Sequence, residues 1–264
     1  MNVPLKSAGL MLLTVLGSAS LAPPAFALPP TPASRPAAAA VDHSTLDKLL
    51  KKHVTSQGLV NYKGFKADQQ EFNRYLDQLS QNPPAAAWSK AEQMSYWINA
   101  YNAFTIRLIL DHYPLQSIKD IGSNGKTAPA TTPWAAKFFT IGGKKMSLDE
   151  IEHGTLRKQF NDPRIHFALV CAAVSCPRLR NEAYSAARLD AQLDDQARDF
   201  VNNPAKNKVG KGSAQLSRYF DWYKGDWNAN GQSVGKWVNK YSKTKLGANA
   251  PITFLDYNWQ LNEQ

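Results

Sequence analysis

Apolar residues recur at helical spacing along much of this chain, in blocks separated by turn residues. Leu46, Leu49 and Leu50 predict a helix over 43–53. Phe72, Tyr75, Leu76 and Leu79 predict another over 65–79, stopped by Pro83 and Pro84. Between them, Gly58-Leu59-Val60-Asn61-Tyr62 reads as a turn running into a short strand. The strongest pattern covers 90–112. Ser89 and Glu92 form a capping box at its start and Pro114 lies just beyond its end. Met94, Trp97, Ile98, Tyr101, Thr105, Leu108 and Ile109 make a stripe wide enough for a central packed helix.

The second half is more broken. Residues 122–133 are rich in Gly, Thr and Pro and read as a loop. Phe138 to Ile141, Gly142-Gly143 and Lys144 to Met146 predict a hairpin, and Ser147 with Glu150 repeats the capping box before a short helix through Arg157. The apolar run 164–170 reads as a strand and 185–202 as a helix. A strand or turn near Gln215-Leu216, an aromatic segment 219–223, a short helix over 234–241 and a strand over 252–255 complete the chain. No regular βαβ alternation emerges, so the expected class is α+β: a single domain of packed helices with a small, mainly antiparallel sheet.

The N-terminus has a different pattern. Lys6 precedes an apolar run too short to span a bilayer, and Ala25-Phe26-Ala27 comes after Pro23-Pro24 as a small-x-small triplet, so 1–27 reads as a cleavable signal peptide. Residues 28–41, mostly Pro and Ala, read as a linker, and 42–264 as one globular domain. The expected location is periplasmic or secreted, with no transmembrane segment after cleavage. The chain is 43% hydrophobic and carries a net charge of +10. Lysines crowd the last quarter, either as a solvated face or as a surface for envelope polymers and other anionic partners. Export argues against nucleic acid. With no Gly-rich phosphate loop, no diffusible cofactor is expected.

Reactive groups concentrate in one stretch, His153, His166, Cys171 and Cys176, and the chain has no other Cys. A thiolate beside an imidazole is the minimum equipment for nucleophilic acyl transfer. Strand alternation would turn His166 away from Cys171 unless the chain bends after Val170, which otherwise favours His153 as base. Against this stands a Cys171–Cys176 disulfide, which an oxidising compartment promotes but which requires the chain to turn back on itself. The spacing fits no common zinc pattern, so no metal is expected. Asn99 and Asn102 sit three apart in the middle of the central helix, where Asn is a poor helix former. Their role is either to tie loop backbone or to form a polar wall beside substrate, where Arg178 would join them.

Several of these stretches carry a resemblance. Trp97-Ile98-Asn99-Ala100-Tyr101-Asn102, Ile151-Glu152-His153-Gly154, Arg164 to Leu169, Cys171 through Ser175-Cys176-Pro177-Arg178-Leu179, Leu216-Ser217 with Trp222-Tyr223, and Leu255 to Trp259 together resemble the domain of unknown function 547 family. The resemblance implies that the Asn-bearing helix, both His and both Cys belong to the family's motifs. It leaves the reaction open. Arg178 departs from the small residue or Pro expected there.

Two functions are compatible with this pattern. The first is a thiol-dependent hydrolase or acyltransferase of the cell envelope, similar in logic to papain-like and transglutaminase-like enzymes. Cys171 or Cys176 would be its nucleophile, His153 or His166 its base, and Asn99, Asn102 and Arg178 its substrate contacts. The second is a non-catalytic envelope-binding domain in which the Cys pair is a structural clip and the C-terminal aromatic residues form core or a ligand groove.

Overall fold

A computed structural model describes Met1 and residues 39–122 and 132–264. The expected signal peptide and most of the linker therefore lie outside the described residues, as does most of the loop expected over 122–133. The chain divides into the unit Met1–Pro36 and the compact unit Ala37–Gln264. The second unit is an α+β domain. No helix among the described residues is long and apolar enough to cross a membrane.

The first half of this domain is helical: α1 (Ser44–His53), α2 (Tyr62–Ala67), α3 (Gln69–Gln81) and α4 (Lys90–His112). The single helix expected over 65–79 is two, because Asn61 caps an earlier start and the chain breaks at Asp68. The segment expected as a strand before it supplies only isolated bridges from Val60 to Val54 and Glu263. The Ser89–Glu92 capping box forms as the sequence predicts, and almost all of α4 from Met94 to Leu110 is buried. A helix apolar on every side belongs inside a domain, and α4 is the axis against which α2, α3 and the later elements pack.

The hairpin is β1 (Phe139–Ile141) and β2 (Lys144–Met146), antiparallel, with Gly142 and Gly143 both at positive φ as its two-residue turn demands. Ser147 caps α5 (Leu148–Ile151), which passes through a π-helical turn (Glu152–Leu156) into α6 (Arg157–Gln159).

The run 164–170 is not a strand. It forms a four-residue helix, α7 (Ile165–Ala168), and then extends. Asp162 starts the turn by accepting from the backbone and guanidinium of Arg164, and the backbone N–H of His166 donates to the Pro163 carbonyl. A short apolar run cannot distinguish a buried helical turn from a buried strand by period alone. The remaining elements are α8 (Leu189–Asn202), β3 (Lys208–Val209), β4 (Ala214–Leu216), α9 (Tyr219–Trp222), α10 (Lys224–Trp227), α11 (Val234–Tyr241) and β5 (Ile252–Phe254). β4 pairs antiparallel with β3 and parallel with β5.

Two apolar clusters fill the domain. The larger surrounds α4; the smaller is built from α8 to α11 and the three-stranded sheet. α7 joins them, since Ile165 and Ala168 belong to the first and Phe167 to the second. The residue between, His166, therefore lies at the seam.

Candidate functional site

At this seam is a cavity of about 190 Å³, lined by Tyr101 from α4, Glu152 and His153 from the π turn, His166 from α7, Cys171, and aromatic residues of the C-terminal part. The π turn explains one side of it. An extra residue in a helical turn shifts the side chains beyond it, a distortion common at functional sites, and here it presents both Glu152 and His153 to the cavity.

His166 is 1% exposed. Its ring stacks on Tyr223 at 3.7 Å between centroids, and Nε2 lies 2.7 Å from Asp226 Oδ2. Arg157 holds the same carboxylate in a fork, Nε and one terminal nitrogen each at 2.7 Å. The hydrogen bond from His166, reinforced by Arg157, holds the Asp226 carboxyl well below the usual range. An ionised carboxylate only accepts, so Nε2 carries the hydrogen and in the neutral ring Nδ1 carries a lone pair. Nδ1 is buried, has no hydrogen-bond partner, and lies 3.7 Å from Glu152 Oε1.

Glu152 is itself buried at 5% exposure and accepts from the Tyr223 hydroxyl. Burial, and next the charge of Glu152, raise both Tyr101 and Tyr223 far above the ordinary phenol range, so these hydroxyls stay protonated. His153 is the more exposed imidazole; it contacts Arg157 at 3.1 Å and lies 3.8 Å from Asp149.

Cys171 and Cys176 form a disulfide, with Cα atoms 6.3 Å apart. The backbone turn that permits it runs through Ala172, at φ +58°, and closes with the Cys176 N–H on the Ala173 carbonyl at 3.0 Å. A residue with a Cβ in the left-handed region costs about 1 kcal/mol, and here the C-terminal segment holds it: the Asn262 N–H donates to the Ala172 carbonyl and Ala173 bridges to Leu261. Tyr257 Oη lies 3.3 Å from Cys171 Sγ and 3.2 Å from Cys176 Sγ, and Tyr219 Oη lies 3.5 Å from Cys171 Sγ. Of the two sulfurs' residues, Cys171 lines the cavity and Cys176 lies behind it at 1% exposure.

Thus three of the four expected reactive residues, His153, His166 and Cys171, meet in one cavity. The helical turn and the bend after it remove the strand alternation that would have separated His166 from Cys171. Both sulfurs are consumed in the bond, and in that state neither is a nucleophile. Among the described residues, the His and Cys side chains do not form a metal-ligand group.

Asn99 and Asn102 stand apart from the cavity. Asn99 donates to the Tyr184 carbonyl at 2.8 Å and accepts from the Tyr184 N–H at 2.9 Å. Asn102 clasps the exit of α7 in the same way, donating to the Ala168 carbonyl at 2.9 Å and accepting from the Val170 N–H at 3.0 Å. Of the two roles left open for them, backbone ties are what they perform. Arg178 points to Asp195 and Asp199, each at 3.2 Å, and is packed against Gly58, where a Cβ would overlap the Arg178 side chain.

Sequence reasoning did not select Glu152, Arg157, Asp226 or Tyr101. The available signals were a carboxylate next to Ile151 in a helix whose inner face is apolar, and Asp226 within the aromatic run Trp222 to Trp227.

Residues 85–201 match the profile of DUF547, a family described as protein of unknown function. Over this span the chain is similar to the DUF547 family. No curated protein and no solved structure matches the chain. The DUF547 span carries both Asn, both His, both Cys and Arg178. The cavity is completed from beyond it, by Tyr219, Trp222, Tyr223 and Trp259, and the carboxylate behind His166, Asp226, is also outside.

Proposed function

We propose that the cavity is the acyl-transfer centre of an exported thiol-dependent hydrolase or acyltransferase, in which Cys171, once released from Cys176, is the nucleophile and His166 the base. The observation that carries this is His166 itself: buried, fixed by Asp226 and Arg157 through one nitrogen, with the other unpartnered, on a ring that lines a cavity Cys171 also lines. That is the base-and-orienter logic of activated nucleophiles. Tyr219 and Tyr257, both protonated donors beside the Cys171 sulfur, would stabilise a thiolate or a developing oxyanion. His153, more exposed and turned toward Arg157 and Asp149, is the weaker candidate for base. A disulfide five residues wide also accords with an oxidising compartment outside the cytoplasm, as the N-terminal sequence suggests.

The chemistry balances without a cofactor once the disulfide is reduced by two electrons from an external dithiol. The Cys171 thiol then gives its proton to His166 Nδ1, its sulfur adds to the acyl carbon, and His166 returns the proton to the leaving group. The test is turnover of a panel of peptide, amide and thioester substrates with and without dithiothreitol. Activity that requires reductant and disappears in Cys171→Ala supports the assignment. Activity equal in the oxidised protein and in Cys171→Ala contradicts it.

A second reading has its own observation. Because the pair is bonded and lies in the core, the domain would instead bind an envelope component without catalysis, the disulfide acting as a clip. A loop this small contributes about 2 kcal/mol. Loss of folding in the Cys171→Ala/Cys176→Ala double variant, with no turnover under any condition, would favour this reading.

A further inference from the structure

The cavity beside His166 holds more than a thiol and an imidazole require. Its wall carries two carboxylates, Asp149 and Glu152, and the rings of Tyr101, Trp134, Tyr219, Trp222, Tyr223 and Trp259. Among the described residues, neither carboxylate has a lysine or arginine at ion-pair distance. The groups nearest them that could carry positive charge are imidazoles: His153, 3.8 Å from Asp149 and 4.0 Å from Glu152, and His166, 3.7 Å from Glu152. A buried carboxylate without a permanent cation leaves a strong demand for positive charge.

A second, independent feature narrows the occupant. His166 Nδ1, on a ring 1% exposed, has no hydrogen-bond partner, and because Asp226 takes the Nε2 hydrogen it can only accept in the neutral ring. An occupant must therefore bring a donor as well as a positive charge. The aromatic walls add electron-rich faces, which attract cations and pack against methylene groups. Arg157 over Tyr223 and Lys119 over Trp259, at 5.7 and 4.6 Å, show two of these rings already in that role. A group that is cationic, donates several hydrogen bonds and carries a short apolar chain is a primary ammonium.

We propose that this cavity binds a primary alkylammonium group, with Glu152 and His166 Nδ1 accepting from the nitrogen, Asp149 adding charge, and the tryptophans flanking the chain. An apolar cavity of about 150 Å³ holds benzene, so this one admits a chain about as long as a lysine side chain and not a whole peptide. The inference rests on the proposed acyl-transfer reading and deepens it by naming the amine that acyl transfer releases, which takes up Nδ1 after His166 has returned its proton. Its test needs no chemistry, because binding is measured on the full chain with the disulfide intact.

Tryptophan fluorescence of the oxidised protein is titrated with n-butylammonium, 1-butanol and tetramethylammonium. The expected result is saturable binding of n-butylammonium with a Kd of about 1–10 mM, as suits so small a ligand. 1-Butanol, which lacks charge, and tetramethylammonium, which lacks N–H donors, should each bind at least about tenfold more weakly. Glu152→Gln should lose about tenfold, and Trp222→Ala, at a ring 47% exposed and tolerant of truncation, several-fold, with circular dichroism confirming the fold. Stronger binding of an Nα-acetyllysine amide than of n-butylammonium would assign the amine to a lysine side chain, and weaker binding to a free alkylamine. Equal affinity for 1-butanol, unchanged affinity in both variants, or no saturation with n-butylammonium would each overturn the inference. The acyl-transfer reading would survive that outcome if reductant-dependent turnover were found, and the ammonium site would survive its absence.

Discussion

Two buried histidines in this domain are built from the same parts. His53 at the end of α1 sets Nε2 2.6 Å from Asp68 Oδ2, and Lys52 meets the same oxygen at 2.6 Å. His166 sets Nε2 2.7 Å from Asp226, whose partner is Arg157. Both are imidazole, carboxylate and cation in a row. They differ in the other nitrogen. His53 Nδ1 lies against Gly64, where even a Cβ would overlap it, and its ring packs on Phe65. His166 Nδ1 is unpartnered beside a carboxylate, and its ring lines a cavity whose wall also carries Cys171. A histidine–carboxylate pair is therefore no evidence of chemistry by itself. What marks a candidate site is a fixed ring that lines a cavity and keeps one nitrogen without a partner.

The largest expected effect that would break this comparison is on reactivity. His166→Gln should lower turnover of any thiol-dependent substrate by about 10²–10⁴-fold, the range for loss of a general base, while His53→Gln leaves it nearly unchanged. Comparable losses in both variants would show that the unpartnered nitrogen is irrelevant.

Stability sharpens the contrast next. Asn102→Ala should destabilise the domain by about 2–4 kcal/mol in urea denaturation, because the Ala168 carbonyl and Val170 N–H would be left buried and unpaired. Asp226→Asn, which weakens a partly exposed fork and the hydrogen bond to His166, should cost about 1–2 kcal/mol. Asp68→Asn, with a well exposed lysine partner, should move the midpoint least.

The smallest effects are on pH dependence. For Glu182, burial acts to raise the pKa, but hydrogen bonds from Arg180, Gln192 and Arg188 outweigh it and bring the value down to about 2. Asp226 is also depressed. Both contribute stability that is fully present above the unfolded carboxylate range, near pH 4, and is lost as pH falls through their folded values. Lys206, whose ammonium donates to the Cys176 carbonyl, also shifts downward, but for a cation this has the opposite meaning. Burial pulls it down to about 8. Between about pH 8 and 10 the unfolded chain holds that proton more tightly, so stability should rise slightly with pH, and Lys206→Met should abolish the rise. A flat profile in both proteins would contradict the burial of this lysine.

The legibility of the fold obeys the same physics. Features set by local chemistry were readable: the Ser89 and Ser147 caps, the Gly142-Gly143 turn and the stripe along α4. What failed was set by context. The run 164–170 became a helical turn because Asp162 holds the Arg164 N–H just ahead of it and Asn102, 66 residues away from Ala168, terminates it. The break at Asp68 and the π turn at Glu152–Leu156 were equally hidden from periodicity. At the site, residue types pointed to His166 and Cys171 but not to the partners that fix them. Asp226 lies 60 residues from His166 in sequence, and its neighbours suggest only an aromatic core.

The most direct test of the Cys171–His166 assignment is the pH dependence of Cys171 alkylation after mild reduction, in wild-type and His166→Gln protein, with the labelled residue identified by mass spectrometry. The expected result is preferential labelling of Cys171 over the buried Cys176, with an apparent pKa well below the ordinary thiol value of about 8.5 that returns toward it when His166 is replaced. Ordinary or raised pKa values for both thiols, unaffected by His166→Gln, would show that the imidazole does not activate the sulfur and that the disulfide is a clip.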